Sequence, residues 1–174
     1  MDILDDETLA RHRDMGATCH RIIATLAART REPDIRTILD AVDQALPHLH
    51  PHEARAHRQN LAGAVKTYFT RLLPPPQWRF HGAELHLGRG RIDLLWRAPH
   101  GALLIDELKT GHAGLFASSA NLTQARRYLH DGRGRYGRYL SGLRLLSLSH
   151  PAQSVFLPDP YAEPTPLAAT AHLI

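Results

Sequence analysis

Cysteine and long apolar runs are the features that this sequence has least of. Its single cysteine, Cys19, excludes a disulfide within the chain. The longest apolar runs, such as residues 102–105, are far shorter than the roughly 20 residues that a membrane-spanning helix needs. The first residues also lack the basic start, apolar stretch and small-residue cleavage site of a signal peptide. We therefore expect a cytoplasmic protein that has no contact with a membrane.

Lysine is scarce as well, because Lys66 and Lys109 are the only lysines among the 21 Lys and Arg residues. The formal net charge is +4 and the sequence pI is about 9.6, so arginine carries nearly all of the positive charge. A guanidinium group binds phosphate through paired hydrogen bonds, which makes this composition compatible with a nucleic-acid partner. The same balance also keeps a domain soluble, so charge alone favours nucleic acid only slightly.

Helices are predicted in the first part of the chain, at residues 5–28, 33–46 and 52–73. Pro33 suits the first turn of the second helix. Apolar residues recur at helical spacing in the third helix, and the prolines at 74–76 end it. After these prolines the apolar positions alternate, which is typical of strands.

The second part of the chain is predicted to contain strands around one helix. The strands are expected at residues 78–87, 91–96, 102–109, 143–148 and 154–157, and the helix at residues 121–130 with an extension up to residue 139. With 174 residues, the chain fits a single α/β domain. We divide it into a helical N-terminal extension (1–47), a core (48–157) and a loose C-terminal tail (158–174).

Two acids and a lysine are expected to meet on two neighbouring strands. Successive side chains of a strand face opposite sides, so Glu107 and Lys109 share one face and Asp106 lies on the other. A short turn at residues 99–101 would pair this strand with the preceding one, which carries Asp93. Asp93 and Glu107 can then converge.

Such a pair of carboxylates, open to water, suits Mg²⁺ or Mn²⁺, which accept oxygen ligands and keep room for a phosphate oxygen. A nearby lysine can stabilise the charge that develops on a phosphate during phosphodiester hydrolysis. The alternative for Asp93 is a polar residue on an exposed strand face, and for Glu107 and Lys109 a solvated pair of charges. In a chain with so few lysines, the position of Lys109 favours a functional role.

Three short motifs carry a resemblance to a known family. Residues 90–93 read Gly-Arg-Ile-Asp, residues 105–111 read Ile-Asp-Glu-Leu-Lys-Thr-Gly, and residues 124–128 read Gln-Ala-Arg-Arg-Tyr. In this order they resemble the PD-(D/E)XK nuclease superfamily, and most closely its RecB-type branch. The resemblance covers roughly residues 78–157. One departure is that Arg91 and Ile92 stand where the family usually has a proline before the first acid.

The resemblance implies a mixed central β-sheet flanked by helices, as in restriction endonucleases. It also implies a divalent metal held by Asp93, Glu107 and the carbonyl of Leu108, with Lys109 as the catalytic lysine. Gln124 would point into the site from the following helix, with Tyr128 in support. The alternative for these last two residues is an ordinary amphipathic helix whose tyrosine packs on the sheet.

Other residues are candidates for supporting roles. The resemblance also implies an acid from the first core helix, for which Glu53 is one candidate and Glu84, on the first strand, another. A basic surface that follows a phosphate backbone is expected from a group of arginines, although a solvated basic face is the alternative. These arginines are Arg126, Arg127, Arg133, Arg135, Arg138 and Arg144.

The resulting hypothesis is a Mg²⁺- or Mn²⁺-dependent nuclease acting on DNA. One alternative is a nuclease-like module that has lost activity and binds nucleic acid or serves in assembly. A second alternative makes the N-terminal helices the main functional surface, for docking a partner. Those helices could also cap the sheet, contact substrate or form a homodimer.

Overall fold

The computed structural model describes residues 6–46, 51–111 and 118–162. Contacts between Cα atoms divide the chain into two compact units, Met1–Arg71 and Leu72–Ile174. The described part of the first unit is helical, and that of the second unit carries strands and one long helix. No helix among these described ranges is long and apolar enough to cross a membrane.

The first unit contains α1 (Asp6–Ala27), α2 (Ile35–Ala45) and α3 (Pro51–Thr67). Helix α3 continues into a π-helical turn at Tyr68–Leu72, whose last residue belongs to the second unit. The three helices contact one another and bury apolar side chains at helical spacing. Asp34 caps the N-terminus of α2, because its carboxylate accepts a hydrogen bond of 2.7 Å from the amide of Thr37. An ion pair between Asp43 of α2 and Arg58 of α3, at 2.6 Å, joins these two helices.

The second unit contains a mixed sheet. Its described strands are β1 (Arg79–Leu87), β2 (Gly90–Arg97), β3 (Leu103–Lys109), β4 (Leu140–Ser147) and β5 (Val155–Pro158). They are hydrogen-bonded in this order across the sheet. The pairs β1–β2, β2–β3 and β4–β5 are antiparallel, and β3–β4 is parallel.

A long helix, α4 (Ser119–Tyr136), connects the parallel strands β3 and β4. A parallel pair requires such a crossover, since a tight turn cannot reverse the chain twice. Ser118 caps the start of α4, and Gly137 ends it with a positive φ of 57°. The buried residues Ala125 and Tyr128 of α4 pack against the apolar cluster of the sheet.

The predicted fold class is confirmed: the chain has an α/β core with a mixed sheet, preceded by N-terminal helices. The predicted strands differ from the observed ones by at most a few residues at either end. The helix α4 is longer than residues 121–130 and ends three residues before residue 139. The division into an extension, a core and a tail stays a prediction.

Candidate functional site

Asp93 and Glu107 lie beside each other on neighbouring strands. In the antiparallel pair β2–β3, Leu94 is opposite Asp106 and Leu95 is opposite Ile105, so the next step of the register places Asp93 opposite Glu107. Opposite residues of an antiparallel pair face the same side of the sheet. Asp93 is half-buried, and Glu107 is only 4% exposed. The two carboxylates therefore share one face at the end of β3.

The backbone of β3 holds Asp93 in this position. Its Oδ2 atom accepts a hydrogen bond of 2.7 Å from the amide of Leu108. An amide that would otherwise continue the strand pairing thus donates to the side chain, and the carboxylate is fixed next to the peptide that follows Glu107.

Lys109 reaches back to the same place. Its Nζ atom donates to Oε1 of Glu107 and to Oε1 of Gln124, both at 2.9 Å. The lysine side chain is 22% exposed, so its ammonium group is accessible from one side while two acceptors orient it. One acceptor comes from β3 and the other from α4, which fixes the lysine between strand and helix.

Tyr128 completes a chain of hydrogen bonds across the site. Its hydroxyl group accepts from Nε2 of Gln124 and from the amide of Arg91, both at 3.2 Å. A phenolic oxygen can accept two such bonds, and Tyr128 is 3% exposed. The network therefore runs from the start of β2 through Tyr128 and Gln124 to Lys109 and Glu107.

The glycine of the first motif has a steric role in this network. A Cβ atom at Gly90 would lie within 3.0 Å of the ring of Tyr128, at 2.4 Å from Cε1 and 2.6 Å from the hydroxyl oxygen. Only a residue without a side chain lets the tyrosine approach the start of β2 so closely. The position of the Tyr128 ring thus requires a glycine at residue 90, although the two residues are 38 positions apart in the sequence.

Asp106 has a different environment from its neighbour Glu107. It is fully buried on the other face of β3, as the alternation of the strand predicts. Arg144 of β4 donates to both of its carboxylate oxygens at 2.7 Å, and Nε1 of Trp96 donates to Oδ2 at 2.9 Å. Asp106 is therefore part of a buried ion pair and not of the acidic site.

Arg144 is therefore not part of the basic surface that was predicted from the arginines near it in sequence. It is 8% exposed and committed to Asp106. Sequence reasoning missed this role, although there was a signal for it. Three residues with polar groups stand on strand faces that are otherwise apolar: Trp96, Asp106 and Arg144. Because a buried charge requires a partner, Asp106 and Arg144 could have been expected to pair.

Glu84, one candidate for the additional acid, lies on β1 next to Asp93. Ala83 is opposite Leu94 and Leu85 is opposite Ile92, so Glu84 falls opposite Asp93 in the register. Its φ of 55° is in the left-handed region, which costs a residue with a side chain about 1–3 kcal/mol. Its carboxylate pairs with Nε of Arg91 at 2.5 Å. The structure thus brings Glu84 near the site, paired with an arginine.

Glu53, the other candidate, is in α3, in the first unit of the chain. Its side chain lies outside the part that the structure describes. Within the described ranges, no group of three or more His, Cys, Asp or Glu side chains is arranged to hold a metal ion.

The residues at the site still fit a hard divalent cation. Mg²⁺ is commonly held by one or two carboxylates and completes its shell with water and substrate oxygens, so a cage of three acids is not required. The carboxylates of Asp93 and Glu107 and the backbone oxygen of Leu108 are oxygen donors of this kind. They lie together at the end of β3.

Several of the predicted nucleic-acid-binding arginines are on α4. Arg126 and Arg127 are exposed, and the guanidinium of Arg127 lies 5.5 Å from the ring centroid of Tyr128. Arg135 is exposed and donates to the carbonyl of His86 at 2.9 Å. Arg138 follows the helix, is exposed, and lies 5.3 Å from the ring of Tyr139.

Arg133 is more firmly engaged than the others. It forms a two-point ion pair with the buried Asp159, with the shortest distance at 2.7 Å, and its guanidinium lies 4.4 Å from the ring of Tyr161. The hydrogen bond to Asp159 raises the pKa of Arg133 above its usual value. Arg133 therefore anchors the segment that follows β5.

Comparison with known families agrees with this geometry. A family model described as the PD-(D/E)XK nuclease superfamily matches residues 2–130. The match covers about three quarters of the 174 residues and includes Asp93, Glu107, Lys109, Gln124 and Tyr128. No curated protein matches the sequence.

Proposed function

We propose that this chain, which belongs to the PD-(D/E)XK nuclease superfamily, is a divalent-metal-dependent deoxyribonuclease of the RecB-type branch. The observation that carries the proposal is the position of Lys109. Its ammonium group contacts Glu107 and Gln124 at 2.9 Å, next to the half-buried Asp93. A nuclease needs a positive charge and an acidic metal site at one phosphate. Lys109 would supply the charge, and Asp93 and Glu107 would supply the carboxylates of the metal site.

The roles of the residues follow from their contacts. Asp93, Glu107 and the carbonyl of Leu108 would hold Mg²⁺ or Mn²⁺, which when bound polarises a phosphate oxygen and lowers the pKa of water. Lys109 would stabilise the negative charge that develops on the phosphate as water adds to phosphorus and the bond to one sugar oxygen breaks. Gln124 acts on the substrate through Lys109, by keeping its ammonium group in place.

The hydrogen-bond network from Tyr128 to Glu107 is largely buried. This burial favours a catalytic role for Glu107 and Lys109 over the alternative of a solvated pair of charges. Glu107 is 4% exposed and Tyr128 is 3% exposed, and the hydrogen bonds between them run through Gln124 and Lys109. Side chains that are ordered in this way need no rearrangement when charge develops, which is the condition for electrostatic stabilisation of a transition state.

The proposal is tested with purified protein and linear, circular and single-stranded DNA, each with Mg²⁺, Mn²⁺ or EDTA. Matched RNA substrates show whether the activity is restricted to DNA. The variants Asp93→Ala and Lys109→Ala remove the proposed site. Asp14→Ala and Lys66→Ala are matched controls, because both residues are exposed on helices of the first unit and Lys66 is the only other lysine.

We expect metal-dependent cleavage of DNA that falls by about 100-fold or more in Asp93→Ala and Lys109→Ala and is unchanged in both controls. Circular dichroism establishes that the variants fold. Cleavage that persists in Asp93→Ala and Lys109→Ala would place the activity elsewhere. Absence of cleavage by the parent protein, with salt-sensitive DNA binding retained, would favour the inactive nucleic-acid-binding module instead.

A further inference from the structure

A second concave site lies on the same face of the sheet as the acids, at the opposite ends of β2 and β3. This far-end cavity has a volume of about 580 Å³, which is in the range of small-molecule sites. Strand β1, the β2–β3 turn and the C-terminal end of α4 all contribute to its wall. Its polar and aromatic lining residues are His81, Arg97, His100, Arg135, Tyr136 and Tyr139.

The charge of the far-end cavity is of one sign. None of the described residues that line it is Asp or Glu, and Arg97 and Arg135 are both exposed. Arg97 is also the register partner of Arg79, which is exposed too. Like charges directly opposite each other on an antiparallel pair are unfavourable. A bound anion would reduce this repulsion. The positive charge of Arg79 next to Arg97 therefore favours an anion at this end of the sheet.

One of these cations is already positioned by the backbone. Nη1 of Arg135 donates to the carbonyl of His86 at 2.9 Å, and its guanidinium lies 5.7 Å from the ring centroid of Tyr136. A guanidinium has five N–H donors, so one bond to a carbonyl orients the group and leaves further donors for a ligand.

An aromatic surface adjoins these cations. Tyr139 is 47% exposed, which is high for a large hydrophobic side chain, and a Cβ atom added at Gly101 would lie 3.7 Å from one edge of its ring. The guanidinium of Arg138 lies 5.3 Å from the ring centroid of Tyr139 and supports it. Aromatic rings next to cations are the arrangement with which proteins hold unpaired bases and their phosphates.

We propose that the far-end cavity binds one nucleotide of a single-stranded nucleic acid, with its phosphate at Arg97 and Arg135 and its base on Tyr139. A duplex fits this chemistry less well, because its bases are stacked on each other and do not reach an aromatic side chain. The proposal deepens the proposed function and rests on it, because it adds a substrate contact to the same sheet face.

The spacing predicts where this contact falls on a substrate. Arg97 follows Asp93 by four residues along β2, which is about 14 Å in a strand. A stacked strand of a duplex rises about 3.4 Å per nucleotide. An unstacked single strand is more extended, so about four nucleotides is the upper limit for this separation. A single strand that is cleaved at the acidic site would thus have a nucleotide no more than about four positions away in the far-end cavity.

Binding without metal tests the proposal independently of cleavage. We would measure fluorescence anisotropy in EDTA with labelled single strands of 3, 6 and 10 nucleotides, as DNA and as RNA, and with a duplex. The variants are Tyr139→Ala and Arg97→Gln. Their matched controls are Tyr161→Ala, an exposed tyrosine outside the cavity, and Arg36→Gln, an exposed arginine of α2.

We expect Tyr139→Ala to weaken the binding of the longer single strands by about 5- to 150-fold and to remove the gain in affinity between 3 and 6 nucleotides. Arg97→Gln should reduce the slope of log affinity against log salt by about 0.7, the value for one phosphate contact on a single strand. Duplex binding should change little in either variant, and the two controls should behave as the parent does.

Unchanged single-strand affinity in Tyr139→Ala, or equal losses on single strands and duplex, would overturn the proposal. Either result leaves the proposed nuclease activity standing, because cleavage is scored separately with metal. Conversely, the protein could cleave no substrate while its variants show the expected losses of affinity in EDTA. This result would support nucleotide binding at the far-end cavity and contradict the proposed nuclease activity.

Discussion

The ammonium group of Lys109 and the side-chain oxygen of Gln124 are 2.9 Å apart, and they come from a strand and from the helix that follows it. The crossover from β3 to β4 makes this contact, because it places the first turns of α4 beside the end of β3. The position of the lysine is therefore set by tertiary structure and not by the strand alone.

Replacing Gln124 tests whether it positions Lys109. We expect Gln124→Met, which keeps the length and loses the acceptor, to lower kcat by about 10–100-fold with a smaller change in KM. Gln124→Glu keeps an oxygen for the ammonium group and should retain more activity than Gln124→Met. Steady-state cleavage kinetics measure both, with the exposed neighbour Thr123→Ala as control. Equal activity of Gln124→Met and the parent would contradict a positioning role.

The close approach of Gly90 and Tyr128 predicts a strong coupling between them. Gly90→Ala places a Cβ atom 2.4 Å from the tyrosine ring, so we expect a loss of about 1–3 kcal/mol in the free energy of unfolding and a fall in cleavage. In a Tyr128→Ala background the same change should cost much less, because the ring is gone. Urea denaturation of the four proteins measures the coupling.

Gly134→Ala is the matched control for Gly90→Ala. It lies on α4, has no atom within 4 Å of an added Cβ, and should stabilise the helix. Additive losses in the double variant of Gly90 and Tyr128 would show that the glycine is needed for some other reason.

Local patterns in the sequence were enough to predict much of the site. Alternation along the third strand separated Glu107 from Asp106, and the short turn before that strand predicted its pairing with the strand of Asp93. The helical spacing of Gln124 and Tyr128 placed both on one side of α4. Each of these inferences depends on residues that are near in sequence or on adjacent strands.

Contacts between distant elements were not predictable in the same way. Arg144 meets Asp106 because β4 pairs with β3 in parallel, and no local spacing specifies which strand becomes that neighbour. The far-end cavity combines residues from β1, a turn and the end of α4, so Arg97 and Tyr139 have no shared motif. The left-handed φ of Glu84 likewise depends on the pairing of β1 and β2.

The cap of α2 predicts a dependence of stability on pH. Hydrogen bonding from Thr37 lowers the pKa of Asp34 below its usual value. A lowered carboxyl pKa contributes stability that is fully present above the unfolded-state value of about 3.9 and is lost as pH falls through the folded-state value. The difference in urea midpoint between the parent and Asp34→Ala should therefore be constant above about pH 5 and shrink below pH 4.

A serine cap separates this titration from the loss of the cap itself. Asp34→Ser keeps an oxygen for the amide of Thr37 but does not titrate. It should be close to the parent at neutral pH and should lose less stability than the parent below pH 4. A difference between parent and Asp34→Ala that grows on acidification would contradict the assigned direction.

The neighbours Asp106 and Glu107 should respond differently to replacement, because only one of them is at the site. Asp106→Asn removes the negative charge that pairs with the guanidinium of Arg144, and the loss of one member of a buried pair typically costs about 3–5 kcal/mol. The cleavage rate per folded molecule of Asp106→Asn should remain close to that of the parent protein. Glu107→Gln should abolish cleavage at the same protein and metal concentrations.

The double variant Asp106→Leu/Arg144→Met makes this test specific to the ion pair. Apolar residues that replace both partners remove the charge without leaving one buried alone, so the loss of stability should be smaller than the sum of the two single losses. Urea denaturation gives the free energies, and cleavage rates corrected for the folded fraction give the activities. If Asp106→Asn lost cleavage at full stability, the acid that faces Trp96 would have to act in catalysis, against its position on the opposite side of β3.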